Sequence, residues 1–389
     1  MKYAFLSLFA LCLAGPGPAQ AAFETRAEAA YVIDLTTDTV LLSKNAEVPL
    51  PPASMSKLMT LYMLFEALEK NPSVSLDTKF GVSSRAKEKG GSTMFLNERD
   101  RPTVEELIKG IVVQSGNDAT VVVAEGLAGT EDAFARLMTE KAQSLGMTQS
   151  TFTNASGWPD PRHRMSMKDL AILTERIIED YPQYYGYFAL EEWGFDERAP
   201  KNRYNRNPLL GLGIGADGLK TGHTQEAGYG LVGSAQQGAR RIVFVVTGLD
   251  TERDRAEESE RIVSWAFRQF VQRQLANEGA KLADLPVWVG AESTVGAVAP
   301  DTISPLVPLL ATGSLETEIE AKTPLAAPIA EGDEIATLVV RGPEMDPQRF
   351  PLVAETDIEK GGAFVRMQAA AQVLLREVLA SDAPQVETQ

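Results

Sequence analysis

The chain has little with which to bind a metal or form a disulfide. Its 389 residues include one cysteine and two histidines. Cys12 falls inside an N-terminal apolar run and is followed by Leu13-Ala14-Gly15, whereas a lipoprotein cysteine follows its small residues, so lipidation there is not expected. Once that run is removed no thiol remains, which excludes a disulfide framework and any cysteine-based metal site. His163 and His223 stand at no ligand spacing, which argues against zinc. No metal and no cofactor are expected. A Lys/Arg-rich block is also missing and the net charge is −16, so nucleic acid is not the expected partner. The longest apolar run, residues 3–14, is shorter than the roughly 20 residues a membrane span needs. It follows Lys2 and precedes Gly15-Pro16-Gly17-Pro18 and the small-x-small triplet Ala19-Gln20-Ala21, the order of a secretory signal. Residues 1–21 are therefore expected to be a signal peptide on an exported protein.

What remains, at 44% apolar and 23% charged residues, has the composition of a globular protein able to bury a core. Two short β-rich runs flank a Thr-Thr-Asp-Thr turn in "AYVIDLTTDTVLLSKNAEVPL", a hairpin pattern. Helical composition follows at 103–109, 117–128, 131–144 and 168–178. Strand patterns return at 228–234 and 241–247, with "AQQGAR" as the turn between them. Residues 257–274 are expected to be a helix carrying Ile262, Trp265, Phe270 and Val271. Strands at both ends with helices between predict one sheet closed by distant segments. From about Leu275 the pattern becomes short β runs broken by Gly, Pro and Asp. After Gly361-Gly362 a last helix is expected, with Phe364, Met367, Ala371, Leu374 and Val378 on one stripe, then a disordered tail. The expected division is 1–21 leader, 22–274 main domain, 275–360 small β-rich domain, and 361–389 amphipathic helix and tail.

Three stretches could carry chemistry. In "PPASMSKLMT" Ser54 and Lys57 are separated by one helical turn, so the amine can reach the hydroxyl. A serine is a poor nucleophile until a neighbour takes its proton. A lysine can do so only when burial or a second cation makes it neutral. The alternative is a helix N-cap, and Ser84-Arg85-Ala86-Lys87 repeats the pattern elsewhere. In "VVQSGNDATVVVAEG" Ser115 and Asn117 lie in a turn between helices, where a cap is again the alternative; Ser43-Lys44-Asn45 repeats that tripeptide spacing. Lys220-Thr221-Gly222 occurs once, at the start of a strand pattern; Gly222 would admit a ligand or backbone, and a solvated lysine on an edge strand is the alternative.

Together, and in this order, the three motifs are those of penicillin-binding proteins and class A β-lactamases. "PPASMSKLMT", "GGSTMFL", "QSGNDA", "DGLKTGHT" and "AGYGLV", with the trailing β domain, resemble the exported D-alanyl-D-alanine carboxypeptidases, the low-molecular-mass penicillin-binding proteins. The resemblance spans about residues 30–380. It implies an α/β (α+β) penicillin-binding/β-lactamase-like domain: an antiparallel sheet with flanking helices plus a helical subdomain, followed by the small all-β domain and the C-terminal amphipathic helix. It implies that Ser54 attacks the carbonyl between two D-alanines and that Lys57 takes its proton. Ser115 would relay a proton to the leaving amine, while Asn117 holds the substrate peptide. Lys220 would depress the Lys57 pKa and attract the terminal carboxylate, which Thr221 would hydrogen-bond. The KTG glycine, Gly222, completes that substrate-facing stretch, and the backbone N–H groups of Ser54 and His223 would form the oxyanion hole. The His223 imidazole is expected to be structural. Arg255 matches the family's carboxylate-binding arginine, the alternative being an exposed charge among Glu257, Glu258 and Glu260; Arg206 matches a family position near the site. Ser56 is not expected to be the nucleophile, since its immediate neighbour Lys57 points elsewhere on the helix.

The implied partners are the peptidoglycan pentapeptide ending in D-Ala-D-Ala and β-lactam antibiotics, in the periplasm or on the inner-membrane surface through the C-terminal helix. Class A β-lactamases carry Ser-Asp-Asn and a Glu-x-x-Leu-Asn stretch; this chain has Ser115-Gly116-Asn117 and no such glutamate, so release of a bound drug is expected to be slow. "ASGWPDPRHRMS" departs from the carboxypeptidase pattern, which leaves endopeptidase action on cross-links as an alternative. A non-catalytic wall-binding protein is the alternative of another class.

Overall fold

The computed structural model describes residues 23–371, except 199, 344 and 370. The expected leader and everything after 371, including Leu374 and Val378, lie outside the described residues. Strands β1 (Ala29–Asp34) and β2 (Thr39–Lys44) form the expected hairpin. A 3-10 turn, Ala53–Ser56, leads into α1 (Lys57–Lys70). Then follow α2 (Ser84–Lys87), α3 (Val104–Lys109), α4 (Asn117–Ala128), α5 (Glu131–Ser144), α6 (Met167–Asp180) and α7 (Pro182–Tyr185). Helix starts are written in the sequence: Thr103 and Glu106 form a reciprocal capping box, and Thr130 and Ser166 accept from the third N–H beyond them.

The chain returns as β3 (Ala216–Thr224), β4 (Gly228–Gln237) and β5 (Arg240–Leu249), giving a five-stranded antiparallel sheet in the order β2-β1-β5-β4-β3. The expected "AQQGAR" turn shrinks to residues 238–239, because the strands keep pairing as far as Gln237 and Arg240. Both faces of the sheet are covered, and the pleat sorts the side chains between them. Ala30, Val32, Ile242, Phe244 and Val246 pack with Ile262, Val263 and Ala266 of α8 (Glu252–Arg268). Tyr31, Ile33, Val243 and Val245 join Leu58, Leu61, Phe65 and the helical middle of the chain on the other side.

The helix expected at 257–274 is corrected at both ends. It begins at Glu252 because the Thr251 side chain accepts from Asp254 N–H, and it stops at Arg268. Phe270 and Val271, read as helical, are in strand β6 (Phe270–Gln272), which pairs with β9 (Leu306–Pro308). The pairing partner lies over thirty residues away in sequence, out of reach of a local periodicity reading.

A second sheet, in the order β10-β12-β13-β8-β7-β11, is built from β7 (Lys281–Trp288), β8 (Thr294–Val298), β10 (Glu316–Glu320), β11 (Leu325–Ala326), β12 (Glu334–Arg341) and β13 (Gln348–Ala354). It has its own core, including Val295, Ala297, Leu338, Val340 and Leu352. Residues 363–369 are helical, with Phe364 and Met367 exposed. No described helix is long and apolar enough to cross a membrane.

Candidate active site

The three sequence motifs converge at one end of α1, on the β3 edge of the first sheet. Ser54 lies in the 3-10 turn and caps nothing: neither this turn nor α1 receives a side-chain cap bond, which removes the N-cap alternative. Instead Lys57 Nζ lies 2.7 Å from Ser54 Oγ and donates to the Ser156 carbonyl at 2.6 Å. The turn is held under constraint. Ala53 has φ 48°, and Gly157 packs so closely on it that a β-carbon at 157 would lie 1.8 Å from the Ala53 carbonyl oxygen. Ser56 Oγ lies 2.7 Å from His163 Nε2, turned away from this pair. Because His163 Nδ1 accepts from Thr153 N–H, Nε2 is the nitrogen that carries the proton.

Lys57 is completely buried and has no ion pair among the described residues. Burial holds its ammonium well below the ordinary lysine range; the positive charges of Arg206 and Lys89 push it further down, and Asp118 partly opposes them. The buried Asp118 carboxylate is taken up by the N–H groups of Met94, Leu96 and Ala119, which fastens the "GGSTMFL" loop to α4.

A π-helical turn, Gly110–Gln114, ends at Ser115 with φ 56°, so the chain reverses there and aims the hydroxyl out of the helix. Ser115 Oγ is buried with no hydrogen-bond partner among the described residues, and the N-cap of α4 is Gly116, so the cap alternative fails here too. Asn117 Nδ2 donates to the Gly90 carbonyl at 2.8 Å. Gly91 keeps this corner open, since a β-carbon there would lie 2.8 Å from Asn117 Nδ2 and 3.1 Å from the Trp158 ring.

The third wall is β3, the edge strand. Lys220 is only 3% exposed, which rules out the solvated-lysine alternative, and its Nζ donates to the Thr221 carbonyl at 3.2 Å. Burial, then Arg206, Lys57 and Arg255, depress its ammonium strongly. Gly222 lets this strand touch the nucleophile turn: a β-carbon there would sit 3.0 Å from both the Pro52 carbonyl and Met55 Cγ. Thr221 is buried, whereas the His223 ring is exposed and stacks on Tyr229 at 3.9 Å. Arg206 donates to the Gln114 carbonyl at 2.9 Å, directly before Ser115. Arg255 is 3% exposed and so is not a surface charge; it donates to Glu252 at 2.8 Å and to the Arg206 carbonyl at 3.3 Å. All ten residues expected from sequence thus lie on these three walls or the arginine pair behind them. The arrangement offers a hydroxyl beside a buried amine whose proton is weakly held, a second unpaired hydroxyl, an amide, and basic groups on the far wall, which is equipment for acyl transfer to a serine from an anionic peptide.

Residues 17–251 match the family model described as D-alanyl-D-alanine carboxypeptidase. The chain belongs to that family. Residues 270–360 match the model described as penicillin-binding protein 5, C-terminal domain. D-alanyl-D-alanine carboxypeptidase DacC of Escherichia coli is 33% identical over 94% of this chain and 92% of its own length. DacF of Bacillus subtilis is 33% identical over 86% and 87%. Among solved structures, penicillin-binding protein 5 from Haemophilus influenzae superposes with a TM-score of 0.74 at 29% identity, covering 89% of this chain and all (100%) of that one. The ampicillin-bound form of penicillin-binding protein D2 from Listeria monocytogenes gives a TM-score of 0.56 at 29% identity over 63% of this chain and 98% of its own.

Within this family frame, sequence reasoning missed Ser156, Lys89 and Gly157. Ser156 acts through a backbone carbonyl, which no side-chain pattern reveals. Lys89 sits near the pair through the loop 89–94, and Gly157 is one of thirty-one glycines.

Proposed function

We propose that this protein is a serine D-alanyl-D-alanine carboxypeptidase that trims the terminal D-alanine from peptidoglycan pentapeptides. The observation that carries the reading is the 2.7 Å contact between Ser54 Oγ and a fully buried Lys57 without a carboxylate partner among the described residues. When Lys57 is neutral the serine hydroxyl donates across that contact to the amine, and the oxygen attacks the carbonyl of the penultimate D-alanine. The N–H groups of Ser54 and His223 take the oxyanion. The C–N bond then breaks, the D-alanine amine leaves with a proton passed through Ser115, and an ester on Ser54 remains. Water hydrolyses that ester, returning the serine. Asn117 holds the peptide backbone, and Lys220, Thr221 and Arg255 receive the terminal carboxylate, a guanidinium being able to grip both oxygens. Arg206 supports Gln114 and adds to the positive field that weakens the hold of Lys57 on its proton. A β-lactam enters the same path and stays on Ser54.

The division of the chain at about 274 and 360, export through residues 1–21, a periplasmic location, and contact of the C-terminal helix with the membrane surface belong to the same reading. The exposed Phe364 and Met367 support the last of these. Fluorescent penicillin should label the wild-type protein and not Ser54→Ala, and the wild type should release D-alanine from a pentapeptide faster than it cleaves a cross-linked dimer. Absence of a Ser54-dependent adduct would overturn the enzyme reading in favour of a wall-binding protein. Preference for the dimer would make it an endopeptidase, and rapid drug turnover a β-lactamase. Recovery of the exported protein in the soluble fraction alone, with or without residues after 360, would remove the membrane contact.

A further inference from the structure

Arg255 is buried beneath a carboxylate of its own chain. Glu252, the first residue of α8, places Oε1 2.8 Å from Arg255 Nη2, while its side chain stays 67% exposed. The other acids of this helix end are engaged elsewhere: Asp254 and Glu257 with Arg26, and Glu258 with Arg261. Arg255 Nε is buried and has no hydrogen-bond partner among the described residues. Tyr229 covers the guanidinium with its ring 5.6 Å away. A carboxylate approaching Arg255 therefore meets one negative group already paired with it.

We propose that Glu252 is a stand-in for the substrate carboxylate, occupying Arg255 in the free protein and swinging into solvent when a carboxylate-terminated ligand enters. The proposal rests on the reading of Arg255 as the substrate's carboxylate partner. It makes Glu252 a positioning residue that sets how strongly the site favours anionic chain ends. Exchange is cheap for Glu252 because its carboxylate is mostly hydrated already, whereas the deeply buried guanidinium would be left unpaired without a replacement. The swap therefore keeps Arg255 paired while it waits, and lowers affinity by the strength of the internal pair.

The test compares acylation by benzylpenicillin and by its methyl ester in the wild type, Glu252→Gln and Arg255→Gln. KM and kcat for a pentapeptide are measured alongside, with thermal melts to establish folding and Glu252→Ser as a second variant. Glu252→Gln is expected to raise the penicillin acylation rate about two- to fivefold, the scale of a half-exposed ion pair. The methyl ester should react at its wild-type rate, and the peptide KM should fall without a fall in kcat. The gain should shrink in high salt. An unchanged or lower penicillin-to-ester ratio in Glu252→Gln overturns the stand-in, while its loss in Arg255→Gln still upholds the carboxylate role of Arg255. An unchanged ratio in Arg255→Gln overturns both.

Discussion

Lys57 is the residue on which the proposed chemistry turns, and its burial has two measurable consequences of opposite sign. In the folded protein its proton is held more weakly than the usual 10.5, so the amine is free over more of the pH range. Acylation should rise with pH as Lys57 deprotonates, with an apparent pKa below that of an ordinary lysine. Lys57→Arg should abolish acylation, since a guanidinium cannot shed its proton. Stopped-flow acylation across pH checks both. The unfolded chain binds the proton that the folded chain releases, so this group weakens the fold below pH 10.5, and stability rises with pH toward that value. Lys57→Met should accordingly melt higher than wild type at neutral pH while being inactive, by about 1–3 kcal/mol. His163 obeys the same sign. Burial pushes it down to about 4 from 6.5, so its contribution to stability is present above pH 6.5 and lost between there and about 4. The loss is on the order of 3 kcal/mol, and His163→Gln should remove that acid sensitivity in urea titrations at pH 4 and 7.

At the scale of elements, what the sequence could tell depended on distance along the chain. Helices α3, α5 and α6 begin within a residue of their expected starts and each opens on a side-chain cap, a contact of neighbours; α8, which is also capped, begins five residues before its expected start. The true end of α8 was not legible, since β6 forms against a strand far downstream. Nor could a tetrapeptide alone distinguish Ser54 and Lys57 from Ser84 and Lys87. The second pair is a surface turn in which Lys87 faces Glu98 at 3.7 Å; the first is set apart by burial and by the contact of Lys57 Nζ with Ser54 Oγ. The order of three motifs resolved this, because each wall of the site is a different element and only the fold brings them together. The loop carrying Ser156 and Gly157 is the element to test. Gly157→Ala would drive a methyl into the Ala53 carbonyl at a backbone φ of +75° and should cost roughly 1–3 kcal/mol. By shifting Ser156 and the nucleophile turn it should also slow acylation at least about tenfold, read from the penicillin-labelling rate and a thermal melt.

The first sheet packs between two apolar layers and the second sheet has a core of its own; the chain passes from one to the other after α8. Arg240 stands there, donating to the buried Asp34 of the first sheet and to the carbonyls of Ala266 and Phe270, where α8 gives way to the β6–β9 ribbon. Arg240→Ala would take the cation from the buried Asp34 and leave it only the N–H groups of Thr36 and Thr37 and the Thr37 hydroxyl, so a loss of about 3 kcal/mol is expected, seen as a drop in the urea midpoint. Nearby, residues 37–41 of the first hairpin face residues 345–350 of the second unit across a groove of about 790 Å³. This arrangement bears on how the first sheet meets other chains. Its two borders are β2 and β3, and any bare border invites another strand. The second unit lies across that groove from the start of β2, while the β3 border lies beside Ser54. A peptide lying there would be a temporary sixth strand, released when water hydrolyses its ester to Ser54. One of the two borders on which another strand could stack would then be kept occupied by substrate.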